Sequence, residues 1–436
     1  MNVLLKNATL VTQNENRDIF KGDIRIEGNT IKEVSSRIQN NGLPEIDLSG
    51  MTVIPGLIQT HVHLCQALFR NLADDLELLD WLTKYIWPME KAHSESSLRA
   101  SARLGLYEIL RSGVTTILDM GAARHMDAVF EEMLNSGIRG FSGKVMMDAG
   151  DQPYKESTEE AVGSTERLIE KWHGSANGRV QYALAPRFVL TCSNQLWEAV
   201  GELSQKYDLI IHTHSSENRT ELQIVREQTG YSNVEFFVKK DLASSKLCLA
   251  HCVWLNENEM QYLKDYRINV LHCPSANMKL GSGFAPVPQM LREGVNVSLG
   301  SDGAPCNNNL DIFTDMRLAA LIHKPGSGVS SINAGQVLDM ATISGAKTLG
   351  LEDKTGSIEA GKLADLAILN LNKVHLIPVD NVVSQIVYSA QSRDITHVMV
   401  NGEWVVQNGV PLKMDKEENI INEARQECTA LINRLH

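Results

Sequence analysis

Hydrophobic and polar positions divide the chain into three regimes. Residues 2–54 hold short alternating stretches, Val3-Leu4-Leu5, Asp23-Ile24-Arg25-Ile26-Glu27 and Ile31-Lys32-Glu33-Val34, broken by turn residues such as Gly28-Asn29. Side chains alternate faces along a strand, so this spacing predicts short strands. From residue 57 to about 350, apolar runs alternate with stretches of helical periodicity. The runs end near His61, Asp119, Met146, Ala185, His214, His251, His272 and Asp302. Helices are predicted over Ser97–Arg111, His125–Asn135, Thr158–Trp172, Asn194–Lys206 and Asn256–Asp265, among others. This α/β alternation predicts a (β/α)8 TIM barrel. After Leu351 short strands return at Leu366–Leu369, His397–Val400 and Glu403–Val406, and Asn401-Gly402 between the last two predicts a hairpin. Neither end has enough strands to stand alone. The expected organisation is a small composite β-sandwich domain from residues 1–56 and 351–415, a barrel over 57–350 inserted in it, and a C-terminal helix within 416–436.

Composition narrows the function. The chain has 436 residues, 43% hydrophobic and 22% charged, enough for a large core. Its net charge of -12 argues against a nucleic-acid partner and against anionic membranes. No apolar run approaches the ~18 residues of a membrane span. The N-terminus lacks the charged and apolar regions of a signal peptide. The seven cysteines form no Cys-x-x-Cys pair, and their odd number suits the reducing cytoplasm.

Four stretches carry chemistry: His61-Val62-His63, His212-Thr213-His214-Ser215-Ser216-Glu217, His251-Cys252 and Ser301-Asp302-Gly303. Histidines at i, i+2 on a strand point to one side, which makes half of a divalent-metal site. His61, His63, a histidine of the fifth run and Asp302 would supply a mixed nitrogen and oxygen site with one position open for water. His214 is preferred to His212 because it lies nearer the run's end and begins His-x-x-Glu. Glu217 would exchange a proton with substrate, and His251 would orient the attacking hydroxide or steady an oxyanion. Each residue also has a plain alternative. His212 and His272 read as satisfied residues behind the site or in the core, and Asp119 as a helix cap or a group that fixes a neighbour. Asp302 reads as a turn residue, and Glu217 as a solvated carboxylate in a first helical turn.

With these stretches, Pro55-Gly56, Ala250-His251-Cys252, His272-Cys273-Pro274-Ser275-Ala276-Asn277 and Gly361-Lys362-Leu363-Ala364-Asp365-Leu366 stand in an order that resembles the aminohydrolase branch of the amidohydrolase superfamily, over nearly the whole chain. The resemblance implies a barrel with a composite β-sandwich. It implies one divalent ion, zinc first and Fe2+ or Mn2+ as alternatives, on His61, His63, His214 and Asp302. Glu217, His251 and Asp302 become the catalytic groups. Asp80-Trp81-Leu82 and Trp87-Pro88-Met89-Glu90 are similar to the segment that closes over the nucleoside in deaminases of 5′-modified adenosines. That likeness gives Glu90 the ribose hydroxyls and Trp81 the 5′ substituent, while His214 and Glu217 also face substrate. Arg187, in Ala185-Pro186-Arg187-Phe188, departs from the histidine such deaminases tend to carry and is similar to the base-contacting arginine of guanine deaminases.

The expected reaction is hydrolytic deamination of 5′-deoxyadenosine, 5′-methylthioadenosine or S-adenosylhomocysteine to the inosine analogue and ammonia. Free aminopurines such as guanine rank second, and s-triazine chloro- or aminohydrolysis third. In that reaction hydroxide attacks C6, Glu217 protonates N1, His251 holds the hydroxide, and Asp302 moves a proton from the attacking water to the leaving amine. The expected partner is a small purine nucleoside, with neither nucleic acid nor membrane, in a cytoplasmic homo-oligomer.

Overall fold

The computed structural model describes residues 1–378 and 380–435. Its strands form one large mixed sheet and several parallel ones. In the nine-stranded sheet the spatial order is Val410–Pro411, Glu403–Gln407, Ile395–Val400, Leu366–Leu369, Thr52–Pro55, Val3–Val11, Ile19–Glu27 and Thr30–Ser35, with Glu45–Asp47 also beside Val3–Val11. Strands from the two ends of the chain meet where Leu366–Leu369 lies antiparallel to Thr52–Pro55, with Leu366 opposite Pro55 and Leu369 opposite Thr52. Leu5, Ile24, Ile26, Val53 and Leu366 give this sheet a buried cluster of its own. Val3–Val11 outruns the expected Val3–Leu5 because a register shift between Leu5 and Ala8 interrupts the alternation.

Between these ends the strands pair in parallel. One sheet has the order Val180–Tyr182, Arg139–Ser142, Val114–Asp119, Leu57–His63, Asp302–Gly303. A second has the order Ile211–Ser215, Leu247–His251, Asn269–His272, Val297–Leu299. Every residue of Leu57–His63, Val114–Asp119 and Leu247–His251 is buried, as parallel strands covered on both faces require. The runs expected to end at Met146 and Ala185 are each interrupted. Val145–Met146 pairs with Ala185–Pro186 as a separate two-stranded ladder. At the first break a Cβ on Gly143 would stand 1.8 Å from the Ala183 carbonyl oxygen, so only glycine allows this backbone approach.

Helices alternate with the strands. Thr158–Trp172 is bounded as the pattern predicted, and its N-cap Ser157 accepts from Glu160 N while the Glu160 carboxylate accepts from Ser157 N. The tail forms the helix Glu417–Asn433. It is tied to Glu95–Arg111 by Arg103–Glu423 at 2.7 Å and Arg111–Glu417 at 3.1 Å. A buried fork joins the mixed sheet to the parallel strands: Arg139 Nε donates to Asp365 Oδ2 at 2.8 Å and Nη2 to Oδ1 at 3.1 Å. Asp365 Oδ1 also accepts from Asn401 N at 2.6 Å.

Candidate metal centre and active-site cleft

The C-terminal ends of the parallel strands bring the singled-out residues together. His61 and His63 lie on one side of the last residues of Leu57–His63, and His214 is the last residue but one of Ile211–Ser215. His63 Nε2 faces His214 Nε2 at 3.3 Å, and Asp302 Oδ1 lies 3.4 Å from His61 Nε2 and 3.3 Å from His63 Nε2. Ligand atoms of His61, His63 and His214 all fall within 4.8 Å of one another. Burial lowers the pKa of all three imidazoles, which keeps them neutral. His61 Nε2 is buried without a hydrogen-bond partner among the described residues. His214 Nδ1 donates to the Arg187 carbonyl at 2.7 Å, which fixes its tautomer and leaves Nε2 bare. A neutral imidazole donor set converging with a carboxylate fits a divalent cation, and such an ion would give the buried His61 Nε2 the partner it lacks among the described residues.

The backbone is bent to make this convergence. Ser216, His251, Cys252 and Asp302 have φ of 56°, 76°, 46° and 64°, a left-handed conformation unfavourable for residues with a side chain. Gly300 lets the strand ends close up, since a Cβ there would stand 2.6 Å from the His61 carbonyl oxygen. Asp119 accepts from Leu64 N at 2.8 Å, the first N–H of the helical turn Leu64–Phe69, and from Ser142 Oγ at 2.6 Å, so it fixes its neighbours at the turn after His63.

His251 Nδ1 donates to Asn277 Oδ1 at 2.8 Å. Its Nε2 then faces Glu217 Oε2 at 3.4 Å and Asp302 Oδ2 at 3.8 Å. Burial pushes the Glu217 carboxyl up to about 7, with His251 opposing and Asp302 adding to the shift. Glu221 holds the segment, accepting from Glu217 N at 2.8 Å and Asn218 N at 3.2 Å. These groups line a cleft whose other wall is Gln66, Leu78, Trp81, Leu82, Arg187, Phe188 and Leu280.

The sequence matches the amidohydrolase family over residues 52–405. The chain belongs to this family. The amidohydrolase is 40% identical over 404 residues to the 5-methylthioadenosine/S-adenosylhomocysteine deaminase of Thermococcus onnurineus, covering 92% of this chain and 93% of that one. It is 37% identical over 420 residues to the 5'-deoxyadenosine deaminase of Methanosphaera stadtmanae, covering 96% of each. Among solved structures it is similar to an adenosine deaminase from Xanthomonas campestris with bound zinc, at TM-score 0.92 and 26% identity over 99% of both chains.

Of the residues expected to meet substrate, Trp81, Arg187, His214 and Glu217 line the cleft of this amidohydrolase, and Glu90 stands behind its wall. The Glu90 carboxylate accepts from Gln66 Nε2 at 2.8 Å, from Arg187 Nη1 at 2.7 Å and from Tyr154 Oη. Gln66 and Tyr154 escaped the sequence reading. Gln66 follows His63 by three residues, a spacing that gives a signal once the strand end is known. Tyr154 lies between residues 150 and 156, where no periodicity marks it. His272 was expected to be satisfied, yet both its ring nitrogens are buried without partners among the described residues.

Proposed function

We propose that this amidohydrolase removes the 6-amino group of a 5′-modified adenosine, giving the inosine analogue and ammonia. The reading is carried by Glu217, a buried carboxyl poised near neutral pH beside His251 and Asp302 at a wall of the cleft. The full-length likeness to deaminases of methylthioadenosine, S-adenosylhomocysteine and 5'-deoxyadenosine supports that substrate class. His61, His63, His214 and Asp302 are proposed to hold one divalent ion, zinc as in the Xanthomonas campestris structure. When bound, such an ion supplies a water molecule acidic enough to ionise near pH ~7. Glu217 gives its proton to N1, which drains electron density from C6. His251, oriented by Asn277, directs Nε2 at the attacking oxygen. The free oxygen of Asp302 accepts one proton released by that oxygen and passes it to the departing amine, and the other proton released by that oxygen restores the Glu217 carboxyl as the C6–N bond breaks and the C6 carbonyl forms. Trp81 covers the 5′ substituent, and Glu90 serves the sugar from behind Gln66 and Arg187.

The same proposal includes the architecture and setting. The parallel bridge Leu184–Ile211, just after Val180–Tyr182, and the short step in sequence from Val297–Leu299 of one sheet to Asp302–Gly303 of the other support a (β/α)8 barrel over 57–350. The shared nine-stranded sheet supports a composite domain from 1–56 and 351–415. Seven free thiols support the cytoplasm as the compartment, and closed homo-oligomers are the common assembly of such enzymes. No helix among the described residues is long and apolar enough to cross a membrane.

Arg187 favours a second reading, a free aminopurine. Only its Nη1 is engaged by a protein side chain among the described residues, and the residue lines the cleft. An arginine offers donors alone, which suit a ring nitrogen or a carbonyl oxygen. Ammonia release across 5′-deoxyadenosine, methylthioadenosine, S-adenosylhomocysteine, adenosine, guanine and a triazine separates the readings. Preference for guanine would overturn the nucleoside assignment.

A further inference from the structure

His212 lies beside the cleft in the same buried strand as His214 and has no part in the proposed reaction. Its Nε2 lies 2.7 Å from His61 Nδ1, with the two rings nearly perpendicular at 88°. One proton occupies that contact. If it rides on His212, His61 accepts at Nδ1 and must carry its own proton at Nε2, the atom facing Asp302 Oδ1 at 3.4 Å. If it rides on His61, the Nε2 lone pair is bare. His212 then keeps its remaining proton at Nδ1, which is buried with no partner among the described residues. A neutral imidazole binds a metal only through a bare nitrogen, and the partner of its other nitrogen selects which one that is. For His214 that partner is the Arg187 carbonyl at 2.7 Å. No carbonyl hydrogen-bonds His61 Nδ1 among the described residues, and His212 stands in that place.

We propose that His212 is a positioning residue that accepts the Nδ1 proton of His61, fixing His61 in the tautomer whose Nε2 binds the metal. This rests on the reading of His61 as a metal ligand. His212→Leu removes the acceptor. His212→Gln restores one, because its Oε1 reaches about where the imidazole Nε2 stood. The zinc dissociation constant of each purified protein, measured by chelator competition, is a readout independent of turnover. His212→Leu should raise it roughly 10- to 100-fold, the usual effect of removing such a partner. His212→Gln should recover most of the affinity. Wild-type affinity in the leucine variant, or a glutamine variant as weak as the leucine one, overturns the inference. If His212→Leu does not fold, imidazole nitrogen shifts of the zinc-loaded wild type decide. A proton on His61 Nδ1 supports the assignment, and a proton on Nε2 overturns it. A wild type that binds no zinc overturns the ligand reading itself, and the inference with it.

Discussion

Glu90→Gln tests the sugar side of the cleft. Glu90 Oε2 already accepts from Arg187 Nη1 and Tyr154 Oη, and Oε1 accepts from Gln66 Nε2. A carboxylate has about four lone-pair positions, two on each oxygen. One position on Oε1 is therefore left, so under the proposed reading Glu90 could accept from one ribose hydroxyl and not both. Glutamine at this position must keep its oxygen toward Arg187, which cannot accept a hydrogen bond. Its NH2 then faces Gln66, whose amide has to flip. The hydroxyl loses a charged acceptor, a bond of about 1.5–3 kcal/mol against about 0.5–1.5 for a neutral one. The difference, roughly 1–1.5 kcal/mol, is about tenfold in kcat/KM. Arg187 loses its counter-charge as well, but that cost falls on every substrate alike. The informative quantity is the ratio of kcat/KM for adenosine to that for 2′,3′-dideoxyadenosine, followed by ammonia release with zinc in excess. It should fall about tenfold in the variant, whereas a carboxylate gripping both hydroxyls would give about a hundredfold. An unchanged ratio would refute the argument and leave Glu90 as a brace for Arg187 alone.

Three other substitutions probe separate links. His63→Ala should lose most bound zinc and nearly all activity, because the remaining donors cannot keep the geometry; full metal content by elemental analysis would show the ligand assignment to be wrong. Glu217→Gln should keep its metal and lose about 10² in kcat. Because the Glu217 carboxyl sits at about 7, its protonated form is lost as pH rises, so wild-type kcat/KM should fall above pH about 7 and the variant should lack that limb. Asp365→Ala strands a buried Arg139 and the Asn401 N–H, and should cost about 3–5 kcal/mol; an unchanged urea midpoint would contradict this, and Arg139→Met with Asp365→Leu should restore most of the loss.

The strands were legible where one physical constraint acted along a whole segment. Leu366–Leu369 and Thr158–Trp172 have the bounds that the apolar run and the helical periodicity predicted, because all four residues of the first are buried and the second buries Ala161, Thr165, Ile169 and Trp172 along one face. Legibility ended where the backbone departs from a regular period. The bulge between Leu5 and Ala8 hid half a strand. The close approach at Gly143 split a run in two. At the site, the His-x-His spacing was readable because a strand turns i, i+2 into a shared direction. His212 and His214 share that spacing equally, and their different partners, His61 Nδ1 for one and the Arg187 carbonyl for the other, exist only in three dimensions. Tyr154 was invisible for the same reason: its contact with Glu90 spans 64 residues of sequence.

The backbone path at the site carries strain that the residue pattern does not show. Ser216, His251, Cys252 and Asp302 each hold a left-handed backbone at a strand end, at about 1–3 kcal/mol apiece. The imidazoles they surround are buried, neutral and short of partners. Local sequence rules favour neither arrangement, so the rest of the molecule must impose both. The buried parallel strands, the Gly300 approach to His61 and the Asp119 grip on the turn after His63 impose the backbone path. A cation bound by those lone pairs would supply the missing partners in one step. It follows that metal binding should stabilise the folded chain far more than an ordinary surface ligand does. Loading the metal-free protein with zinc should therefore raise its unfolding temperature, and His63→Ala should abolish that rise.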